Sequence, residues 1–198
     1  KDVTDQDAVS LWAGGCNRHY VPAVINYLTQ RGEFLTSYTP YQPEVAQGNL
    51  QALFEYQTMI TELTGLEVSN AGLYDAGTAL VEAVLMALRV NSSRKVLAIT
   101  EALSPGILGC LHTISRFLDG VEIVWLPADM RTGSLDLAQY RELMDRRGSE
   151  VAAVIAGYPN YIGIIEDLSA ISAVAKANGA IVISLTCEAL ALAMFNGF

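Results

Sequence analysis

The sequence predicts an α/β fold, in which a mainly parallel β-sheet lies between two layers of helices as a three-layer α/β/α sandwich. Four short apolar runs recur between residues 96 and 185 without alternation of polar and apolar residues, which indicates strands buried on both faces. Helical patterns of about a dozen residues separate these runs, as in βαβ units with right-handed crossovers. The 198 residues, of which 52% are hydrophobic, are enough to bury one sizeable core.

The first predicted elements are helical. A short helix is expected near residues 22–30, and a longer one over 50–65, where apolar residues recur every three or four positions and Gly65 ends the pattern. A short strand is expected over 67–73. Helices and strands then alternate. The remaining predicted helices span 78–90, 107–118, 135–147 and 166–178, and the predicted strands span 96–100, 121–126, 151–156 and 181–185.

The chain is expected to have two parts. Residues 1–47 lack strand patterns and are predicted to form an N-terminal arm that carries an active-site loop. Residues 48–198 are predicted to form the α/β domain. Its sheet is expected to be incomplete, with further strands beyond residue 198.

Composition excludes several classes of function. Lys plus Arg is 12 and Asp plus Glu is 21, so the net charge of −9 argues against binding to the phosphate backbone of nucleic acids. The three cysteines include no Cys-x-x-Cys pair, which favours a reducing cytoplasm over a disulfide framework. The isolated residues His19 and His112 predict no metal site. No apolar run approaches the roughly 18 residues of a membrane span.

The segment 36–48 is the first candidate for function. It contains Tyr38, Tyr41, Gln42 and Glu44, and its two prolines fix φ and remove backbone donors. A stiff loop rich in aromatic and polar side chains positions functional groups when a rigid scaffold supports it. The alternative is an ordinary proline turn on the surface.

A second candidate is the run Ala76-Gly77-Thr78, at the start of a predicted helix. Gly77 would let a ligand approach the backbone closely, and a helix N-terminus favours an anion such as phosphate. The alternative is a plain helix cap, in which Asp75 or Thr78 satisfies the first N–H groups.

Two further residues are candidates with weaker signals. Asn160 follows the third predicted strand and therefore lies at the carboxyl edge of the sheet, where it could bind a ring substituent of a ligand. The alternative is a Pro-Asn turn. His19 lies in a loop that could approach a site, and the alternative is a structural role, which is the more frequent one for an isolated histidine.

Taken in order, the segments 14–23, 34–48, 50–65, 74–83 and 158–168 resemble one family, the glycine decarboxylase P-proteins of the glycine cleavage system. The resemblance is closest to subunit 1, the α subunit, of the two-subunit bacterial form. It implies a fold-type I pyridoxal phosphate large domain, similar to that of aspartate aminotransferase. The implied reaction is decarboxylation of glycine, with transfer of the aminomethyl group to the lipoyl group of H-protein.

The resemblance also implies how the work is divided between subunits. The Schiff-base lysine and most cofactor contacts would belong to subunit 2, the β subunit, in an α2β2 assembly. Tyr38, Tyr41, Gln42, Glu44 and His19 would then shape a shared active site, while any contact with pyridoxal phosphate would come from Ala76, Gly77, Thr78 and Asn160.

The lysines agree with such a division. The chain has only Lys1, Lys95 and Lys176, and none is predicted at the carboxyl edge of the sheet. In addition, the run Leu185-Thr186-Cys187-Glu188 stands where related folds carry an aspartate for the pyridine nitrogen. Two alternatives remain: an assembly subunit without a catalytic role, or another fold-type I lyase or transferase with its own lysine beyond residue 198.

Overall fold

The computed structural model describes residues 19–194. These residues divide into two compact units, which we call the N-terminal unit (19–73 with 192–194) and the α/β unit (74–191). The sequence predicted a domain boundary after residue 47, whereas the two compact units are divided after Leu73. Residues 1–18 of the predicted arm lie outside the described range.

The N-terminal unit consists of helices and turns. Its helices are α1 (Ala23–Thr29), α2 (Gly32–Leu35) and α3 (Gln47–Thr64). Gly65 ends α3 with φ 72°, the left-handed conformation that glycine adopts without strain, and its N–H donates to the Thr61 carbonyl at 2.8 Å. None of the residues in these three helices is buried.

The strand predicted over 67–73 is wrong. The segment has no strand conformation, and Gly72 has φ 118°. The Asn70 side chain accepts a hydrogen bond from the Gly72 N–H at 3.0 Å, which forms a local turn. Apolar residues in this segment suggested a strand, but the local side-chain bond favours a turn.

The α/β unit contains the predicted alternation. Its strands form one parallel sheet in the order β2-β1-β3-β4 within the described residues. The strands are β1 (Val96–Thr100), β2 (Glu122–Leu126), β3 (Val151–Gly157) and β4 (Ile181–Leu185). The helices are α4 (Ala76–Val90), α5 (Pro105–Ser115), α6 (Leu137–Arg147) and α7 (Leu168–Ala177). The short α8 (Leu190–Met194) begins in this unit, and its residues 192–194 belong to the N-terminal unit. The predicted strands and helices are therefore confirmed, with ends that differ by at most three residues.

Helices cover both faces of the sheet. Successive residues of a strand point to opposite faces, and Leu97 of β1 packs with Leu80 of α4 and Leu111 of α5. Its neighbour Ala98 belongs to the other cluster, with Tyr140 of α6 and residues of α7. The three-layer α/β/α sandwich is thus confirmed. The central strands β1 and β3 are buried throughout, whereas β2 and β4 at the sides of the described sheet are partly exposed.

Candidate functional site

One loop donates hydrogen bonds to β4 and to the segments that follow β1 and β2, which are the other strands in the described part of the sheet. We call residues 158–166, which follow β3, the β3 loop. The Tyr158 N–H donates to the Leu185 carbonyl of β4 at 2.9 Å, and the Tyr161 N–H donates to the Ala102 carbonyl, just after β1, at 2.8 Å. The Asn160 side chain donates to the Gly133 carbonyl, in the segment after β2. The carboxyl edge, where ligands bind in this class of sheet, is therefore held in one arrangement.

Asn160 is the centre of this loop and is only 4% exposed. Its Nδ2 donates to the Gly133 carbonyl and to Glu166 Oε1, both at 2.9 Å. Its Oδ1 accepts from the N–H groups of Ile162 and Ile164, at 3.2 and 3.0 Å. These bonds use both amide hydrogens and both carbonyl lone pairs. In this arrangement, the side chain fixes the loop and has no polar atom left for a cofactor.

Glu166 is a buried carboxylate for which the sequence predicted only a place at the start of a helix, without a catalytic role. Its Oε2 accepts from the Leu135 N–H at 2.9 Å, so that it connects the β3 loop to the segment before α6. The neighbouring Asp167 caps α7, because its Oδ1 accepts from the Ala170 N–H at 2.9 Å. An acidic pair at a helix start needs only one member as the cap, and this was the available signal for a second role of Glu166.

The N-terminus of α4 is occupied by its own side chains. Asp75 Oδ1 accepts from the Thr78 N–H at 2.7 Å, and Thr78 Oγ1 accepts from the Asp75 N–H at 3.1 Å, which forms a capping box. The hydrogen bond from the Thr78 N–H lowers the pKa of the Asp75 carboxyl group, so a negative charge is present where phosphate would bind. This geometry favours the helix-cap alternative.

Packing between α4 and α5 explains why residue 77 is a glycine. It is buried, and a Cβ at this position would lie 2.7 Å from Cys110 Sγ of α5. Only glycine therefore allows α4 to approach α5 this closely. The neighbouring Ala76 is partly buried, and Thr78 is exposed.

The loop before α3 is exposed but ordered by its own bonds. The Tyr41 N–H donates to the Thr39 carbonyl at 2.8 Å, and the Val45 N–H donates to the Gln42 carbonyl at 3.2 Å. The ring centroids of Tyr38 and Tyr41 lie 6.3 Å apart. Tyr38 is 83% exposed and Tyr41 is 78% exposed. Gln42 and Glu44 are exposed as well, as is His19, which lies ahead of α1.

An open groove of about 560 Å³ lies at the end of this loop, beside the first turns of α3. Glu44 is the one charged residue among those that line it, and α3 supplies one wall. The lining residues are Pro43, Glu44, Gln47, Leu50, Gln51 and Phe54. The groove therefore offers apolar contact beside a single carboxylate.

The residues of the α/β unit do not fit a pyridoxal phosphate held by this chain alone. Lys95 precedes β1 at the amino edge, and Lys176 lies exposed in the last turn of α7, so residues 19–194 place no lysine at the carboxyl edge. Thr186 Oγ1, in the segment after β4, is buried without a hydrogen-bond partner, and as a hydroxyl it does not supply the carboxylate that a pyridinium nitrogen needs. The Asp75 cap disfavours the phosphate.

Residues 19–194 contain neither a metal-binding cluster nor a membrane-spanning helix. No group of three or more His, Cys, Asp or Glu residues within 19–194 is arranged to hold a metal ion. Among the helices in this range, none is both long and apolar enough to cross a membrane.

The chain is similar to known proteins over most of its length. A family model described as glycine cleavage system P-protein matches residues 2–197. A protein of Geotalea uraniireducens named probable glycine dehydrogenase (decarboxylating) subunit 1 is 50% identical over 181 residues, which cover 91% of this chain and 39% of that protein. A protein of the same name from Anaeromyxobacter dehalogenans is 47% identical over 184 residues, which cover 92% of this chain and 40% of the relative.

The chain is also similar in structure to solved proteins. A glycine decarboxylase (P-protein) of the glycine cleavage system, in inhibitor-bound form, has a TM-score of 0.83 at 41% identity, over 93% of this chain and 39% of that one. A NifS-like protein has a TM-score of 0.65 at 14% identity over 87% of this chain and 47% of its own, which shows the fold alone. The predicted fold-type I class is thereby confirmed. The chain spans about 40% of the length of the curated relatives it matches, and it belongs to the family of glycine cleavage system P-proteins.

Proposed function

We propose that this chain is part of a subunit 1, the α-type subunit, of a glycine cleavage P-protein. It would support pyridoxal phosphate-dependent decarboxylation of glycine and transfer of the aminomethyl group to the lipoyl group of H-protein. Family membership and the names of the relatives support this proposal. A protein named subunit 1 implies a subunit 2 as its partner. Cysteine usage favours the cytoplasm as the location.

The residues at the carboxyl edge of the sheet support different roles for the two subunits. Residues 19–194 place no lysine there, and the Asp75 carboxylate occupies the N-terminus of α4. A pyridoxal phosphate enzyme requires a lysine for the Schiff base. The proposal therefore assigns the Schiff-base lysine and most cofactor contacts to subunit 2. Contacts from Ala76, Gly77, Thr78 and Asn160 are secondary in it, because the polar groups of Thr78 and Asn160 bind within this chain.

The exposed loop before α3 is the proposed contribution to a shared active site. Tyr38 and Tyr41 present aromatic faces against which the hydrocarbon of a lipoyl arm can pack, and their hydroxyls can bind a carboxylate. The Gln42 amide and the Glu44 carboxylate add groups that can orient the amine of glycine. His19 is proposed as a further contact from the same unit. All these roles are positioning and binding, without a covalent bond to substrate.

The test is glycine–carbon dioxide exchange by the full-length protein assembled with its subunit 2 and H-protein. The double variant Tyr41→Phe with Gln42→Ala should lower exchange about tenfold or more, which corresponds to about 1.4 kcal/mol of lost transition-state binding. The matched control, Tyr74→Phe with Gln139→Ala, makes the same chemical changes in the α/β unit and should retain exchange. Undiminished exchange in the first variant, with the complex intact, would show that the loop assignment is wrong.

A second candidate is an assembly subunit without a role in the active site. It is favoured by one observation, the large apolar exposure of the N-terminal unit, which includes Tyr20, Tyr27, Phe34 and Phe54. In that case the loop variant would lower the amount of complex, while the complex that remains would turn over normally. Sedimentation of the mixed subunits beside the exchange assay separates the two candidates.

A further inference from the structure

Two strands of the sheet each contain a single polar residue among apolar ones. Thr100 is the last residue of β1, and Ser184 is the last but one of β4. The strand between them, β3, has no polar side chain. Strands that are covered on both faces favour continuous apolar residues, so the two hydroxyl groups need an explanation.

Both hydroxyl groups point to the same face of the sheet. Ser184 stands between Ile183 and Leu185, which pack with the residues of α4 and α5. Thr100 follows Ile99, which packs in the same cluster. Because successive residues of a strand point to opposite faces, the side chains of Thr100 and Ser184 both point toward α6 and α7.

Ala156 of β3 separates the two hydroxyl groups within one row of the sheet. It pairs with Ser184 in the parallel ladder. It also follows Ile155, the ladder partner of Ile99, so Thr100 lies on its other side. Twice the spacing between adjacent strands places the Cα atoms of the two polar residues about 10 Å apart. This separation is too wide for a direct hydrogen bond between the hydroxyl groups, which needs an O···O distance of about 2.8 Å.

Neither hydroxyl group has a protein partner. Thr100 Oγ1 and Ser184 Oγ are buried and make no hydrogen bond to the rest of the described chain, and Thr100 is only 1% exposed. A buried hydroxyl without a hydrogen bond costs free energy, so native proteins satisfy such groups with protein atoms or internal water. The described residues that form the core on this face are apolar apart from Tyr140, whose hydroxyl donates to the Ile171 carbonyl at 3.0 Å. They would not compensate the charge of an ion.

We propose that this row binds internal water, which hydrogen-bonds to Thr100 Oγ1 and Ser184 Oγ over the methyl group of Ala156. Water is the ligand that fits, because it is neutral and can donate to one hydroxyl group while it accepts from the other. It links β1 to β4 across β3, at the end of the sheet from which the β3 loop starts. The inference concerns the α/β unit alone and does not depend on the proposed function.

A crystal structure of the full-length protein, at a resolution that shows ordered water, tests the site directly. It should contain ordered water within about 3.2 Å of both Thr100 Oγ1 and Ser184 Oγ. Hydroxyl groups that bond to backbone carbonyls instead would overturn the inference. The same holds for an ion at this position, or for the absence of ordered water beside well-defined side chains.

Magnetic relaxation dispersion of water oxygen, which detects long-lived internal water, tests the same site in solution. The double variant Thr100→Val with Ser184→Ala should lower the dispersion amplitude, because it removes both hydrogen-bonding groups. The matched control Thr113→Val with Ser92→Ala makes the same changes at exposed positions and should keep the wild-type amplitude. Thr100→Ser retains the hydroxyl group and should keep it too, which separates loss of water from altered packing. Equal amplitudes in the double variant and the wild type would contradict the inference.

Discussion

The two units of this chain treat apolar side chains in opposite ways. In the α/β unit, β1 and β3 are buried at every position, and helices cover both sheet faces. In the N-terminal unit, α1, α2 and α3 contain no buried residue. Both units are rich in apolar residues, so composition does not explain the difference. The difference is that a sheet offers its helices a flat apolar surface, whereas the three helices have no such layer within their own unit.

This contrast indicates different functions for the two units. Each large apolar side chain that stays in water forgoes about 1.5–3 kcal/mol of burial. A surface with many such side chains marks an interaction site in a soluble protein. The α/β unit therefore buries a core of its own, whereas we expect a partner to stabilise the N-terminal unit.

The largest expected effect is on the core, and matched truncations test it. Leu97→Ala removes a side chain with 0% exposure and should lower the free energy of unfolding by about 2–5 kcal/mol, because it leaves a cavity. Leu63→Ala makes the same change at an exposed position of α3 and should cost less than about 0.5 kcal/mol. Urea denaturation of the full-length protein measures both. Equal losses would remove the contrast between the units.

A smaller effect is expected from two asparagines with similar turn-forming roles. Asn160→Ala breaks the buried bonds to Gly133 and Glu166 and should cost about 2–3 kcal/mol, since it leaves a buried carboxylate oxygen short of a donor. Asn70→Ala breaks an exposed bond to Gly72 and should cost about 0.5 kcal/mol or less. Urea midpoints at pH 7 compare them. A small loss for Asn160→Ala would mean that the β3 loop does not depend on its side chain.

The smallest expected effect is a pH dependence that arises in the α/β unit. Hydrogen bonds from the Gln139 and Thr78 N–H groups lower the pKa of the Asp136 and Asp75 carboxyl groups in the folded protein. A lowered folded pKa stabilises the fold above the unfolded value of about 3.9, and this stabilisation disappears as the pH falls through the folded pKa. Urea midpoints between pH 6 and pH 2.5 should therefore fall less steeply in Asp136→Asn than in wild type. An identical slope in the two proteins would rule out a contribution from this cap.

Much of the fold was predictable because it is encoded locally. The apolar runs of β1 and β4 gave their boundaries without error, since buried parallel strands consist of continuous apolar residues. The start of α3 was missed by three residues, because Ala46 at its N-cap has no side-chain oxygen to signal it. The prediction of a strand over 67–73 was wrong, because residues that favour strands form one only when a neighbouring strand pairs with them.

The site was less predictable, because partners of side chains are set by the tertiary structure. The position of Asn160 at the carboxyl edge was predicted, yet its bonds reach Gly133 and Glu166, which no spacing rule connects. Gly77 was singled out for a ligand, whereas its close neighbour is Cys110, more than thirty positions along the sequence. The helix-cap alternative for Asp75 was a local pattern, and the structure contains it.

The central proposal is that the α/β unit folds around a core of its own, while subunit 2 stabilises the N-terminal unit. Amide hydrogen exchange of the full-length protein, alone and mixed with subunit 2, tests it most directly. Alone, the amides of α3 should exchange about 100-fold or more faster than those of β1 and β3, and addition of subunit 2 should slow α3 while leaving the sheet unchanged. Protection of α3 equal to that of the sheet in the protein alone, or no change in α3 on mixing, would contradict the account.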